Sequence, residues 1–427
     1  MTIKLSVLLF DQPAGVIARP PSRPPELAYN DTWRHAEGGV PLSVSMPLTA
    51  ARHQGKALEA WLWGLLPDNA FILEQWGRRF QVSARNPLAL LAHVGEDCPG
   101  AVQIVRPERL DTLRDAHAGD IKWLDDAGVA SELRRLDRDK SAWRAAGESG
   151  QFSLAGAQPK TALLFDGERW GIPSGRSPTT HILKPPVEGL DHHVENEHFC
   201  LSLARAVGLP AAASRVGHFE DRVAIIVERY DRLRLDRSNT DLPAFTRVHQ
   251  EDMCQALGRY PWEKYQNEGG PGPEDIVLLL RRHSSRPDAD IATFLDALVF
   301  NWLIAGTDAH AKNYALLLAG SGQVRLAPLY DIASSLPYAD IPVMKAKLAM
   351  KIGGKYRVDD IVWRHWHRLY EAVRVDADMY MKRHTALARK IADSAETLAS
   401  NMADQGLDRT FMSTLGCAIA RRAGKYI

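Results

Sequence analysis

The spacing of hydrophobic positions changes from one half of this chain to the other. Near the start, Ile3, Leu5, Val7 and Leu9 alternate with other residues, the period of a half-buried strand. Similar short runs recur to about residue 110, punctuated by Pro and Gly in GVIARPPSRPPELAYN and GGVPLSVSMPLT. That pattern predicts a small β-rich module. It carries one helix-like stretch, ALEAWLWGLLPDN, in which Trp61 and Trp63 face different sides and are read as packing residues. From Arg109 to about Ser149 the chain turns charged, as in DDAGVASELRRLDRDK. Acids stand beside each basic run, so this stretch predicts solvated helices and linker rather than a nucleic-acid surface.

Strand-like runs return in TALLF, HILK and RVAIIVE, with a helix-like VENEHFCLSLARAVGLP among them, closed by Gly208 and Pro210. From TRVHQEDMCQALG onward most of the chain has helical periodicity. The predicted order is an N-terminal β-rich subdomain over residues 1–110, a helical linker over 111–148, a nucleotide-binding core with its hinge over 149–245, and a helical lobe over 246–427.

Composition narrows the class. With 427 residues, 45% of them hydrophobic, and a net charge of +1, the chain has material for two or three cores and no bulk attraction for nucleic acid. Cys98, Cys200, Cys254 and Cys417 lie far apart and form no metal-binding pattern, which fits a reducing, cytoplasmic setting. The N-terminal run reads as an ordinary first strand. The most apolar later segment, FLDALVFNWLIAG, is too short for a bilayer and carries Asp296 and Asn301, so no membrane partner is expected.

The candidate chemistry concentrates between Leu303 and Ser335. Asp308 and Asn313 stand in the spacing D-x-x-x-x-N, a turn marked by Gly320 and Gly322 follows, and Asp331 lies in APLYDIASS. This is the order of a kinase catalytic loop followed by a metal-binding aspartate. Phosphoryl transfer asks for one carboxylate to take a hydroxyl proton and hard oxygen ligands to hold Mg2+ on a nucleotide. Asp308 is the candidate base, Asn313 and Asp331 the candidate metal ligands, and His310 and Lys312 further groups able to reach a phosphate. Each alone is equally a turn or cap residue. Their order between two apolar runs, LVFNWLIAG and YALLLAG, favours the chemical reading.

Upstream, the small residues Ser153, Ala155, Gly156 and Ala157, with Gln158 and Lys160 behind them, precede the strand TALLF. Such a loop lets backbone N–H groups approach phosphate oxygens while the lysine adds charge. It is neither a Walker A sequence nor a G-x-G-x-x-G loop. Lys184 ends the strand HILK. On the next helix Glu195 shares a face with Phe199 and Leu203, which favours it over Glu197 as the partner of that lysine. At the end of RVAIIVE, Glu228, Arg229 and Tyr230 form the expected hinge beside an adenine, with Asp231 near the ribose.

Together FSLAGAQPKTALL, HILKPP, VENEHFC, VERYDR, RVHQEDMCQALG, DAHAKN and APLYDIASS resemble, in order, the HipA-type serine/threonine kinases, toxins of bacterial toxin–antitoxin modules. PLSVSMPL and GLLPDN extend the likeness over nearly the whole chain; Pro159 after the loop glutamine is a modest departure. The resemblance implies an α+β, two-lobed protein-kinase-like fold with an extra N-terminal β-rich subdomain and an all-α C-terminal lobe, using ATP and Mg2+. It implies Asp308 as base, Asn313 and Asp331 on the metal, Lys184 on the phosphates, and Ser153 as a self-phosphorylation site that silences the enzyme. The implied partners are a HipB-like helix-turn-helix antitoxin, operator DNA mainly through that antitoxin, and an aminoacyl-tRNA synthetase substrate, typically the glutamyl enzyme. Two other readings stand beside it. A small-molecule phosphotransferase shares the Asp, Asn, Asp order, but the serine-bearing loop counts against it. A non-catalytic scaffold or co-repressor would have no need of the intact set Lys184, Asp308, Asn313 and Asp331.

Overall fold

The computed structural model describes residues 2–111, 121–141, 152–174, 177–235, 244–342 and 344–427. Two compact units divide the chain. One holds Met1–Pro185, Gly217–Trp262 and Leu316–Val324; the other holds Pro186–Val216, Glu263–Ala315 and Arg325–Ile427.

In the first unit the opening alternation forms the strand Ile3–Leu9, antiparallel to Gln12–Arg19 with Leu5 opposite Ile17 and Val7 opposite Gly15. Glycine is required at position 15, because a Cβ there would lie 2.6 Å from the Ala28 carbonyl oxygen. The sheet runs Arg52–Gln54, Glu26–Tyr29, Gln12–Arg19, Ile3–Leu9, Val102–Val105. The expected helix is Lys56–Gly64, with Trp61 fully buried and Trp63 half-buried. Two more helices, Ala70–Phe80 and Pro87–Val94, escaped the periodicity argument. Their start signals were local: Asn69 and Asn86 accept the N–H groups of Phe71 and Ala89 at 2.9 and 3.3 Å, and Pro87 opens the second.

A second sheet runs Ser214–Phe219, Arg222–Glu228, His181–Lys184, Thr161–Phe165, Trp170–Pro173, Ile121–Leu124. The charged stretch expected to be solvated helices and linker supplies its edge strand Ile121–Leu124 and the helix Asp126–Arg138, whose Val129, Ala130 and Leu133 are not solvated but pack against Leu163, Trp170 and Ile226. Only its outward face is solvated. The remainder of that expectation, residues 112–120 and 142–148, lies outside the described residues.

Buried charge ties the two sheets of this unit together. Arg229 donates to both oxygens of Asp231 at 3.0 and 2.9 Å and to the Thr179 hydroxyl at 2.8 Å. Arg232 reaches Asp97 at 2.8 Å and the Gly100 carbonyl at 2.9 Å, while Gly100 N–H donates to Asp231 at 2.6 Å. Arg229 and Arg232, with Arg247 adding its charge, hold Asp97 well below the usual carboxylate range despite full burial. Burial beside Arg229 pulls Arg232 down to about 10. Two quoted motifs also meet here. Val44 N–H donates to Glu251 at 2.8 Å, and the His249 ring bonds the Leu42 carbonyl at 3.0 Å, so PLSVSM lies along the strand His249–Asp252.

The second unit is helical in bulk: His193–Ala206, Pro273–His283, Pro287–Leu303, Trp363–Ala372, Ala377–Asp404 and Arg409–Gly424. Trp302, fully buried, packs on Trp363, Trp366 and Tyr426. Residues 246–427 are not all-α, however. Short strands occur at His249–Asp252, Ala315–Ala319, Gln323–Leu326, Lys347–Ile352 and Lys355–Arg357. An apolar run as short as ALLLA does not distinguish strand from helix by its period.

Candidate active site

The expected catalytic loop begins where the helix Pro287–Leu303 stops. Ala305 takes a left-handed backbone with φ 52°, and Gly306 N–H returns to the Asn301 carbonyl at 2.7 Å. A side chain at 306 would place its Cβ 2.4 Å from Asn301 Oδ1, so glycine fixes the exit. Two serines of APLYDIASS fasten to this helix end: Ser334 Oγ donates to Ile304 O at 2.6 Å and Ser335 Oγ to Ala305 O at 2.8 Å. Asn196, from VENEHFC, holds the same segment from another side. Its amide donates to Ser334 O at 2.8 Å and its oxygen accepts from Ser334 N–H at 2.9 Å. Asn196 stands between Glu195 and Glu197, and no local sequence pattern marks it.

The loop itself is tightly wound. His310 N–H donates to Asp308 O at 2.7 Å, and Asn313 N–H to His310 O at 2.9 Å. The Asn313 amide nitrogen donates to Asp308 O at 2.9 Å and to Asp331 O at 3.4 Å. That one side chain brings the two aspartates of the predicted set to a common point. With the nitrogen turned to both carbonyls, the amide oxygen remains as an acceptor with no partner among the described residues. Asp308 and Asp331 expose their side chains, and Asp331 holds a left-handed backbone with φ 58°, an uncommon state that a surrounding network must impose. His310 and Lys312 are buried, the former with its ring edge-on to Tyr265 at 5.0 Å. Tyr265 also donates its hydroxyl to Asp308 Oδ1 at 2.5 Å.

In the first unit, Ser153 has no solvent exposure; its hydroxyl donates to Leu65 O at 2.6 Å and its N–H to Asp97 O at 3.0 Å. Gly156 has φ 105°, and a Cβ there would meet Lys160 Nζ at 2.5 Å. Lys160 folds back on the loop, donating to Ala155 O at 2.6 Å, while Gln158 donates to Pro185 O at 3.1 Å. Lys184 is buried at the end of His181–Lys184, opposite Ile225. Glu228 is exposed and Tyr230 half-buried, its hydroxyl donating to Gln250.

Family models match both parts of the chain: a HipA N-terminal domain over residues 5–105 and a HipA-like C-terminal domain over residues 152–402. The chain belongs to the HipA family. Among its relatives, the protein named "Putative kinase Y4mE" of Sinorhizobium fredii is 35% identical over 400 residues, 93% of this chain and 92% of that one. The serine/threonine-protein kinase toxin HipA of Shewanella oneidensis is 29% identical over 404 residues, 91% of this chain and 86% of that one. A solved structure of Shewanella oneidensis HipA with HipB and operator DNA superposes with a TM-score of 0.83 at 24% identity, covering 99% of this chain and 97% of the other. The α+β HipA fold is thereby established for this chain. No helix among the described residues is long and apolar enough to cross a membrane.

Two residue expectations for this HipA-family chain need correction. Asp231 does not face outward toward a ribose: it is buried, with both oxygens taken by Arg229, Arg232 and Gly100 N–H, and these hold its carboxyl below its ordinary value against the cost of burial. On His193–Ala206 the inward-facing acid is Glu197, 1% exposed, whereas Glu195 is only partly covered and bonds His192 at 3.3 Å. The helix buries Asn196, Glu197 and Cys200 along with Phe199, so its buried arc is wider than an i, i+4 count from Phe199 allows.

Proposed function

We propose that this chain is an ATP- and Mg2+-dependent serine/threonine protein kinase that acts as a growth-arresting toxin. The observation that carries the reading is Asn313, whose amide joins the backbones of Asp308 and Asp331 while its oxygen stays unused. Mg2+ commonly takes one or two protein oxygens and fills its octahedron with phosphate and water. Asn313 and Asp331 fit that demand, and among the described residues no cluster of three or more His, Cys, Asp or Glu forms a self-sufficient cage. When bound, Mg-ATP supplies the phosphoryl group and neutralises charge on the leaving oxygen.

The remaining roles belong to the chain. Asp308, exposed and held by its loop, takes the proton of the attacking hydroxyl. The loop residues Ala155, Gly156, Ala157 and Gln158, which follow Ser153 whose own N–H is taken by Asp97 O, offer backbone N–H groups to phosphates, with Lys160 bracing the loop, and Lys184 adds charge. Glu228 and Tyr230 are the proposed hinge beside an adenine, and His310 and Lys312 are proposed to reach a phosphate. The division into an N-terminal subdomain over 1–110, a nucleotide core ending near 245 and a catalytic lobe beyond it is part of the same proposal.

The likeness to a HipA bound to HipB and operator DNA supports a HipB-like antitoxin as partner, with DNA reached through it. An aminoacyl-tRNA synthetase, the glutamyl enzyme first, is the proposed substrate. Ser153 is the proposed self-phosphorylation site and the cytoplasm the proposed compartment. The test is growth on expression without an antitoxin. The parent chain is expected to stop growth and lower charged tRNA-Glu, and Asp308→Asn to do neither. Arrest with charged tRNA-Glu unchanged would move the substrate elsewhere, and equal toxicity of both forms would refute catalysis as the cause.

A further inference from the structure

Tyr265 bonds the proposed base directly and lies outside every motif quoted from the sequence. It lies in a loop with little freedom. Gly270 N–H and Glu268 N–H both donate to Tyr265 O at 3.0 Å, and a Cβ at Gly270 would stand 2.0 Å from Glu263 O. Gln266 anchors the next residue by accepting Lys351 N–H at 2.6 Å. This loop touches the catalytic loop at three points. Ala311 N–H donates to Lys264 O at 3.3 Å, the Tyr265 ring stands edge-on to His310 at 82°, and the Tyr265 hydroxyl donates to Asp308 Oδ1 at 2.5 Å.

A surface carboxylate on a short side chain ordinarily swings between rotamers. Here one oxygen is pinned by a donor on a braced loop, and the other, Oδ2, has no partner among the described residues. We infer that Tyr265 is a positioning residue for phosphoryl transfer, fixing Asp308 so that Oδ2 receives the substrate proton. This deepens the kinase reading and rests on it. In the step, the substrate oxygen bonds to the γ-phosphorus, the bond from that phosphorus to the ADP oxygen breaks, and the hydroxyl proton passes to Oδ2. Tyr265 keeps its own proton and its bond to Oδ1 throughout.

A hydrogen bond to a charged group is worth enough to alter a rate about tenfold when lost. The experiment follows phosphate incorporation into the full chain from labelled ATP with Mg2+, at saturating ATP, for the parent, Tyr265→Phe, Asp308→Asn and the double variant. Tyr265→Phe keeps the ring against His310 and is expected to lower the rate about tenfold, with Mg-ATP affinity within about twofold of the parent, the mark of an interaction felt in the transition state. The double variant is expected to be no slower than Asp308→Asn, because the tyrosine acts only through that carboxylate. Full activity in Tyr265→Phe with a dead Asp308→Asn would overturn the positioning role and leave the kinase reading standing. An equal further loss in the double variant would assign Tyr265 a general structural role instead. Undiminished incorporation by Asp308→Asn would overturn the underlying reading itself.

Discussion

The hydroxyl of Ser153 donates to the carbonyl of Leu65 over 2.6 Å, from a position with no exposure to solvent. A serine held this way is unreachable by any phosphoryl donor until the loop leaves Leu65 and Asp97. A phosphate adds a charge of about −1.5 to −2 and cannot return to that buried place. Phosphorylation at Ser153 is therefore expected to hold the loop out and close the route to ATP binding. Mass spectrometry is expected to find phosphate on Ser153 in the active chain and none in Asp308→Asn. Hydrogen exchange should show the Ser153 amide protected only in the unmodified form. A phosphorylated chain whose Ser153 amide stays protected, or that binds ATP as well as the parent, would contradict the switch.

Asp308 and Asp331 are expected to separate two effects. Asp331→Ala removes a proposed metal ligand, so Mg-ATP affinity should fall, by about tenfold or more. Asp308→Asn keeps the nucleotide contacts, and its affinity should stay within about twofold. Titration of each variant with Mg-ATP, followed by calorimetry, reads the difference directly. Equal affinities in both variants would remove Asp331 from the metal.

How much of this could be read in the sequence depends on range. The order of Asp308, Asn313 and Asp331 is legible because it is short and local, and the structure adds that the Asn313 amide bonds the backbones of both aspartates. The first strand was legible because its period is local too. Asp231 was misread because VERYDR carries no sign that Asp97, more than a hundred residues earlier, supplies the second carboxylate of a buried cluster. Asn196 and Tyr265 were missed for the same reason: each acts on a loop distant in sequence, and neither alters the hydrophobic pattern of its own segment. The helix Asp126–Arg138 agrees with the helices expected in this charged stretch, but its packing was not legible, because its polar face dominates the composition while three apolar positions suffice to seat it.

Arg229 gives a stability prediction. Its replacement by Ala would leave Asp97 and Asp231 buried with weakened compensation, a kind of change that costs roughly 3–5 kcal/mol. Urea unfolding of Arg229→Ala should show a loss of that order. A loss below about 1 kcal/mol, as for an exposed pair, would contradict the view that this cluster binds the two sheets.

Glu251 gives a pH dependence. Burial, with Asp252 nearby, pushes its carboxyl from an ordinary 4.5 up to about 8, against the opposing bonds from Ser43 and Val44. A folded-state value above the unfolded one means the contribution is fully present below about pH 4.5 and is lost as pH rises through about 8. The parent should therefore lose stability between pH 5 and 8.5, by roughly 2–5 kcal/mol from this group. Glu251→Gln keeps an oxygen for Val44 N–H and should lack that part of the slope. Urea unfolding of both proteins across this range checks it; parallel slopes would refute the assignment.

Phosphoryl transfer by this HipA-family chain is proposed to use Asp308 as the base. The most direct measurement is single-turnover incorporation of labelled phosphate from ATP and Mg2+, comparing the parent with Asp308→Asn at matched nucleotide occupancy. The expected result is rapid labelling of the parent and a loss of about 100-fold to 10,000-fold in the variant, the range for removing a positioned base. Labelling of Asp308→Asn at near the parental rate would contradict the account.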